Sequence, residues 1–277
     1  MLKAITVAKD EEKLVGKCMR GVLSQTYQVD SYVIIDDFSS DKTLGIIEQL
    51  NDGRVKLFRA EHSKFRIQDE GRGKRIHSLQ QLALDLSGNW DYLLVVDADT
   101  TIPIDYCKTI INAMEKDGKL VMAGAKYLRT PTKSEVSSDT HVRGSNYIVR
   151  RSLYDLFRKR GFDYNNPYGE VLLERYAKAL GCEVMAFPTL TAVQGRETTT
   201  QSQDLVGGIH EYVISTPLLL MIINFLRNRS SNDLMLLCGW LWAKTHHVRR
   251  YFSKIEDKNI AAWYTKRWLR GASKTRS

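Results

Sequence analysis

The chain has 277 residues, of which 43% are hydrophobic and 26% charged, and its formal net charge is +9. These values are ordinary for a globular protein, and the length suits one large domain or a domain with an appendage. The start of the chain has no long apolar core and no cleavage site, which excludes a secretory signal. The four cysteines lie far apart without metal-ligand spacing, so we predict reduced thiols in the cytoplasm.

Alternating strand and helix patterns run through the first half of the chain. Short apolar runs predict strands at 5–8, 32–35, 55–58 and 92–96. Helical spacing of apolar residues predicts helices at 11–25 (with Asp10 as its cap), 42–50 and 74–86, and the polar residues 59–73 predict a loop. This alternation predicts an α/β fold with a mostly parallel sheet flanked by helices.

The second half of the chain has a more mixed pattern. It predicts strands at 120–124, 147–149 and 183–187, helices at 151–160 and 169–180, and polar loops at 128–142 and 194–208. Pro188 is expected to end the last strand, and Gly181 to end the second helix. We predict one domain over residues 1–208 and a helical, apolar-basic extension over residues 209–277.

The C-terminal extension carries the excess positive charge. Residues 227–277 hold 12 Lys/Arg and 3 Asp/Glu, whereas the preceding residues hold 29 of each, and four of the five tryptophans lie in the extension. Its apolar segments, 214–226 and 234–243, are shorter than the ~20 residues that cross a bilayer. This composition favours an anionic membrane surface, and a helical appendage packed on the enzyme or on a second subunit is the alternative. Nucleic acid fits poorly, and the oligomeric state stays open.

Acidic residues follow two of the predicted strands. Asp36-Asp37 comes after the second strand, and Asp97-Ala98-Asp99 comes directly after the strand at 92–96. Ligands of open α/β sheets bind at the carboxyl ends of the strands, and hard oxygen ligands suit Mg²⁺ or Mn²⁺. A helix-capping turn at the first pair and a solvated acidic turn at the second are the alternatives.

The order of these motifs resembles a known family. Asp10-Glu11-Glu12 follows the first strand, the stretch 33–43 contains Asp36-Asp37-Phe38-Ser39-Ser40-Asp41-Lys42-Thr43, and Asp97-Ala98-Asp99 comes about 60 residues later. Over roughly residues 3–200 the chain is similar to the inverting glycosyltransferases of family 2, which have the Rossmann-like GT-A fold. The resemblance implies a UDP- or GDP-sugar donor, Mn²⁺ or Mg²⁺, and an acceptor hydroxyl or phosphate, with a lipid-linked acceptor as one candidate.

The resemblance implies donor-binding roles for residues near the strand ends. They are Ala8, Lys9, Glu11, Asp36, Asp37, Asp97 and Ala98, with Lys74 (between Arg72 and Arg75), Gly144 and Arg196 further along the chain. Asp99 is implied as the ligand of the divalent metal, and Asp97 as a donor contact beside it. The metal would stabilise the leaving nucleoside diphosphate.

The resemblance also implies a general base at the start of a helix in the second half. Glu170 matches the family's glutamate, but Val171 stands where the family has aspartate, so Asp163 and Glu174 stay as alternatives. The departure also leaves open a nucleotide-sugar binding protein without transfer activity. A sugar-phosphate nucleotidyltransferase is disfavoured, because Ala8-Lys9-Asp10-Glu11-Glu12 is not a glycine-rich, arginine-containing loop.

Overall fold

The chain divides into two compact units. The computed structural model describes residues 1–60, 71–129, 133–134, 141–142, 144–164, 169–195, 212–214, 216–228, 231–248 and 250–274. The first unit comprises Met1–Glu174 and Glu183–Glu197, and the second comprises Arg175–Cys182 and Thr198–Ser277. The predicted domain boundary at residue 208 stays a proposal.

A sheet of nine strands, counted over the described residues, forms the centre of the first unit. The strands are β1 (Leu2–Ala8), β2 (Ser31–Asp36), β3 (Val55–Arg59), β4 (Tyr92–Val96), β5 (Thr100–Thr101), β6 (Leu120–Arg129), β7 (Lys133–Ser134), β8 (Asn146–Arg150) and β9 (Glu183–Gln194). Their order is β3-β2-β1-β4-β8-β6-β9-β5, and β7 pairs with β6.

Helices connect these strands, and the alternating pattern predicts all of them except the helix at Tyr106–Lys116. They are α1 (Val15–Leu23), α2 (Thr43–Gln49), α3 (Gly71–Ser87), α4 (Tyr106–Lys116), α5 (Arg151–Lys159) and α6 (Gly169–Ala179). The strands β3, β2, β1 and β4 pair in parallel, as do β6 and β9, whereas β8 is antiparallel to both of its neighbours. The predicted α/β fold with a mostly parallel sheet is confirmed. Every residue of β2 and β4 is buried, as expected for strands covered on both faces.

The start of α1 differs from the sequence-based prediction. The helix begins at Val15 rather than Glu11, its N-cap residue is Leu14, and no side chain caps it. Asp10 has a positive φ of 52°, and its carboxylate accepts hydrogen bonds from the backbone N–H and hydroxyl of Ser40. The prediction that Asp10 caps this helix is therefore wrong, because the carboxylate instead joins the loop after β1 to the loop after β2.

The end of β9 also differs from the prediction. Pro188 does not end the strand, which continues to Gln194. The pairing with β6 shifts from Phe187 opposite Ala125 to Thr191 opposite Lys126, so Pro188 falls within a bulge. A proline is tolerated there because the bulge needs no N–H for the ladder. The continued strand brings Gln194 opposite Thr100 of β5.

The second unit is helical where the structure describes it. Besides the end of α6, it contains α7 (Leu218–Asn228), α8 (Ser231–Thr245) and α9 (Lys254–Lys274). Buried Trp240 donates a hydrogen bond to the carbonyl of Thr216 at 2.9 Å, and Trp263 donates one to the carbonyl of Cys182 at 2.7 Å. Among the described helices, none has the length and apolar character that crossing a membrane requires.

Candidate active site

The carboxyl ends of three parallel strands bring the predicted residues to one edge of the sheet. Ala8 at the end of β1 lies opposite Asp36 at the end of β2, and β1 also pairs with β4, after which Asp97 follows. The N–H of Asp37 donates to the carbonyl of Ala8 at 2.8 Å, and the N–H of Asp97 donates to the carbonyl of Ser145 at 3.0 Å. Short loops at this edge are thus tied together by backbone hydrogen bonds.

Contacts within the protein hold both aspartates that follow β2. The carboxylate of fully buried Asp36 accepts from the N–H of Ser39 at 3.3 Å and lies 3.4 Å from Nε of Arg59. The Arg59 guanidinium also lies over the ring of Phe38, which has a positive φ of 54°. Asp37 is buried, with its carboxylate 3.9 Å from Nζ of Lys9. The predicted pair therefore comes with two cations at the same strand ends.

Asp99 is held in a fixed orientation by its neighbours. One carboxylate oxygen accepts from the amide of Gln194 at 2.8 Å, and the other accepts from the hydroxyl of Thr100 at 3.2 Å. Its backbone carbonyl accepts from the N–H of Gly195 at 2.8 Å. Asp99 and Ala98 are both buried. Neutral donors on both oxygens orient the side chain without cancelling its charge.

Asp97 lies in a strongly acidic environment. Burial, followed by the charges of Asp99, Glu170 and Glu11, raises the pKa of Asp97 from its ordinary value of 3.8 to about 8. These effects act in the same direction, because each disfavours a further negative charge. Four carboxylates predicted from the sequence therefore interact in the fold, although they come from three separate segments.

The carboxylates of Asp97 and Asp99 suit a divalent cation that binds together with a phosphate-containing ligand. In the part of the chain that the structure describes, no cluster of three or more His, Cys, Asp or Glu side chains is arranged as a complete metal site. Asp97 and Asp99 offer two hard oxygen donors, and Mg²⁺ is commonly bound by one or two carboxylates together with phosphates. The donor set thus matches a metal bound together with a diphosphate.

Glu170 lies in the first turn of α6, where the helix dipole favours an anion. Its Oε2 lies 3.1 Å from Nε2 of His77 on α3. Its Oε1 approaches Gly144 so closely that a Cβ at that position would lie 2.3 Å away. Glu170 is thus partly buried between a histidine and a glycine, and its charge acts on Asp97.

The two alternative bases have structural contacts. Asp163 pairs with Arg158 at 2.6 Å. Glu174 is almost fully buried, and one oxygen accepts from the N–H of Val142 at 3.0 Å and lies 2.9 Å from Nδ1 of His141. These geometries favour Glu170, whose charge is the one that acts on Asp97.

Some residues of the site were not predicted from the sequence, and some predicted ones are not described. His77 and Arg59 belong to no motif, and Gln194 falls in the polar, glycine-containing segment 194–208 that was predicted as a loop. Arg196 lies outside the described residues, as does the side chain of Lys74, whose backbone belongs to α3. Continuing the strand past Pro188 would have identified Gln194, whereas no sequence signal identifies His77.

The chain matches the family model described as Glycosyl transferase family 2 over residues 4–171. It is therefore a glycosyltransferase by class. Because the match spans more than half of its length, the chain belongs to glycosyl transferase family 2. Among curated proteins, none matches the chain.

Solved structures show the same fold. TarS 1-349 from S. aureus has a TM-score of 0.56 at 14% identity, over 89% of this chain and 72% of that one. TarS 1-349 in complex with UDP-GlcNAc has a TM-score of 0.55 at 15% identity, over 95% of this chain and 79% of that one. The mannosyltransferase PcManGT from Pyrobaculum calidifontis, in complex with GDP-Man and Mn2+, has a TM-score of 0.54 at 12% identity, over 96% and 74%. The fold is that of the GT-A glycosyltransferases.

Proposed function

We propose that this glycosyltransferase moves a sugar from a nucleoside-diphosphate sugar to an acceptor hydroxyl, with inversion at the sugar carbon and with a divalent metal. The observation that carries the proposal is the grouping of Asp97, Asp99 and Glu170 at one edge of the sheet, where burial and then the charges of the neighbouring carboxylates raise the pKa of Asp97 to about 8. Family membership supports the reaction class. Similar structures hold UDP-GlcNAc or GDP-Man, which supports a UDP- or GDP-sugar donor.

The donor is expected to lie across the ends of β1, β2 and β4. Asp36 and Asp37 are carboxylates that accept hydrogen bonds from the N–H groups of a base or the hydroxyls of a ribose. Lys9 and Arg59 lie beside them, within 3.9 Å and 3.4 Å of a carboxylate oxygen. In this proposal Ala8, Lys9 and Glu11 line the nucleotide, and Asp97 contacts the donor sugar or ribose.

Asp99, with Asp97 beside it, would hold the metal. When bound, Mn²⁺ or Mg²⁺ supplies positive charge that stabilises the diphosphate as it leaves. Gln194 and Thr100 orient the Asp99 carboxylate through hydrogen bonds of 2.8 and 3.2 Å, so its position is set before the ligand arrives. Preorganised charge of this kind needs no rearrangement during the reaction.

Glu170 is proposed as the general base. Direct inversion requires a group that takes the proton of the acceptor hydroxyl as the new bond forms, and a carboxylate is suited to this role. Glu170 is close enough to the donor end for its charge to act on Asp97, and it comes from a different element.

We also propose that the second unit binds an anionic lipid surface. On α8 the large apolar side chains Leu234, Met235, Leu241 and Trp242 are each 41–45% exposed, and on α7 Leu219 and Leu226 are 60% and 62% exposed. The heptad spacing of these four α8 residues places their side chains on one side of the helix. The balance of 12 Lys/Arg to 3 Asp/Glu over residues 227–277 favours anionic lipids over a second copy of the same basic unit. A lipid-linked acceptor is consistent with this location.

An activity assay tests the reaction. Purified protein is incubated with UDP- and GDP-sugars, Mn²⁺ and lipid-phosphate or glycan acceptors, and thermal shifts with each nucleotide identify the base that binds. We expect transfer by the native chain and a loss of about 10²- to 10⁴-fold in kcat for Glu170→Gln, with nucleotide binding retained. Glu48→Gln, on α2, is the control with unchanged rate. Nucleotide binding without turnover of any donor would support the binding-protein alternative instead.

A further inference from the structure

We infer that His77 is a positioning residue for Glu170, an assignment that rests on the proposed role of Glu170 as the base. Nε2 of His77 lies 3.1 Å from Oε2 of Glu170, and both side chains are largely buried, at 17% and 19% exposed. The two residues are far apart in sequence, on α3 and at the start of α6. The contact therefore depends on how these two helices pack.

The other nitrogen of the ring indicates which tautomer is present. Nδ1 of His77 is buried and has no hydrogen-bond partner among the described residues. A proton on Nδ1 would be a buried donor without an acceptor, which is costly, whereas a proton on Nε2 points at a carboxylate. The neutral ring is thus expected to donate from Nε2 to Glu170.

Two glycines make this arrangement possible. A Cβ at Gly144 would lie 2.3 Å from Oε1 of Glu170, and a Cβ at Gly169 would lie 2.8 Å from the ring of His77. Gly169 also has a positive φ of 29°. Each carboxylate oxygen is therefore confined, Oε1 by the backbone of Gly144 and Oε2 by His77. A base confined on both oxygens has one orientation toward the acceptor.

Other titratable groups also interact with Glu170. Asp97 at the end of β4 interacts with Glu170, as do the hydroxyls of Tyr147 and Tyr164, which hydrogen-bond to each other at 2.9 Å. Without a partner on Oε2, the Glu170 carboxylate would be free to rotate about its last side-chain bond. A hydrogen bond from His77 opposes that rotation, and an error of about 1 Å in such a position can cost 10²-fold in rate.

Two substitutions at His77 test the assignment. For His77→Ala we expect kcat to fall about 10- to 100-fold, with the donor KM and nucleotide affinity within about twofold of the native values. His77→Gln places an amide N–H near the former Nε2, so it should recover most of kcat. His246→Ala, an exposed histidine of the second unit, is the control with unchanged kcat. Thermal unfolding of each variant checks that it folds.

The double variant separates positioning from a general structural effect. If His77 acts through Glu170, adding His77→Ala to Glu170→Gln should lower kcat no further. A native kcat in His77→Ala, or a parallel loss of kcat, nucleotide affinity and thermal stability in both His77 variants, would overturn the inference while Glu170→Gln stays inactive. An active Glu170→Gln, or a native chain that transfers no sugar, would overturn the proposed function and the inference with it.

Discussion

The two units of the chain use their apolar residues differently. In the first unit the described large apolar side chains with high exposure are scattered, namely Met1, Ile104 and Leu156. In the second unit six of the eight described ones lie on α7 and α8, and the other two are Leu180 and Ile255; the six are Leu219, Leu226, Leu234, Met235, Leu241 and Trp242. Scattered exposed apolar residues are normal, but a concentration marks an interaction surface. This difference is the basis of the lipid surface proposed for the second unit.

The buried charged residues also differ between the two units. In the first unit, Asp36, Asp37, Asp99 and Glu174 are buried, and burying carboxylates is costly without a compensating role. The described buried cations of the second unit, Arg175 and Lys178, lie against aromatic rings: the guanidinium of Arg175 is 5.2 Å from the Tyr264 centroid, and Nζ of Lys178 is 4.7 Å from that of Trp263. Acidic groups at strand ends belong to the proposed chemistry, whereas these cations stabilise helix packing.

The largest expected effect comes from removing the proposed metal ligand of the first unit. Asp99→Asn keeps a side chain that can bond to Gln194 and Thr100 but loses the charge, so we expect kcat/KM to fall by about 10²-fold or more. The measurement is transfer activity titrated with Mn²⁺. Asp91→Asn changes an exposed aspartate just before β4 and is the matched control, with unchanged activity expected. Equal activity and equal Mn²⁺ dependence in Asp99→Asn and the native chain would contradict the assigned role.

An intermediate effect is expected from changing the apolar surface of the second unit. Leu234→Glu with Trp242→Glu should weaken binding of the full chain to phosphatidylglycerol vesicles by at least about tenfold, because burying one such side chain contributes about 1.5–3 kcal/mol. Co-sedimentation at several salt concentrations measures it, and added salt should weaken native binding. Leu156→Glu, on α5, is the control.

The same variants test the alternative partner of that surface. If the native chain ignores vesicles but forms dimers that the double substitution dissociates, the surface binds a second copy and the lipid proposal is wrong. Analytical ultracentrifugation of the native chain and the double variant measures this. Unchanged vesicle binding by the double variant would also contradict the proposal.

The smallest expected effect is a dependence of stability on pH that originates in the first unit. An unfolded aspartate ionises near pH 3.8, whereas burial and neighbouring carboxylates raise the pKa of Asp97 to about 8. Between these values the folded protein holds a proton that the unfolded chain has released, so raising the pH favours unfolding. Without divalent metal, Tm should fall as pH rises from about 4 to about 8 and then level off.

Asp97→Asn provides the comparison for this measurement, because asparagine has no proton to release. The variant should lose part of the slope of Tm against pH, and Mn²⁺ should stabilise the native chain more at pH 8 than at pH 6. Identical slopes in the variant and the native chain would show that Asp97 does not titrate in this range. The same substitution should leave vesicle binding by the second unit unchanged.

Strand ends and their acidic residues could be predicted from the sequence because apolar runs have a local signature. The runs before Asp36 and Asp97 predicted buried strands, and parallel pairing predicted that their carboxyl ends meet. Helices α7 and α8 were indicated by apolar segments in the same way. Glu170 was named from the resemblance to the family rather than from local pattern.

Contacts between distant segments were not predictable in this way. The strand β9 continues past Pro188 because a bulge against β6 leaves the proline outside the ladder, and only then does Gln194 reach Asp99. Asp10 joins the two loops instead of capping α1, because the helix begins only at Val15 and the Asp10 carboxylate bonds to Ser40. His77 has no local pattern that sets it apart from other helical residues.

The sequence by itself determined the order of strands and helices, the placement of carboxylates at strand ends and the accumulation of charge in the extension, because these depend on neighbouring residues. Only the tertiary structure decided which side chains orient those carboxylates and which apolar residues stay exposed. Such partners are chosen by the packing of elements far apart in the chain. Asp99 with Gln194 and Glu170 with His77 are pairs of this kind, separated by 95 and 93 positions.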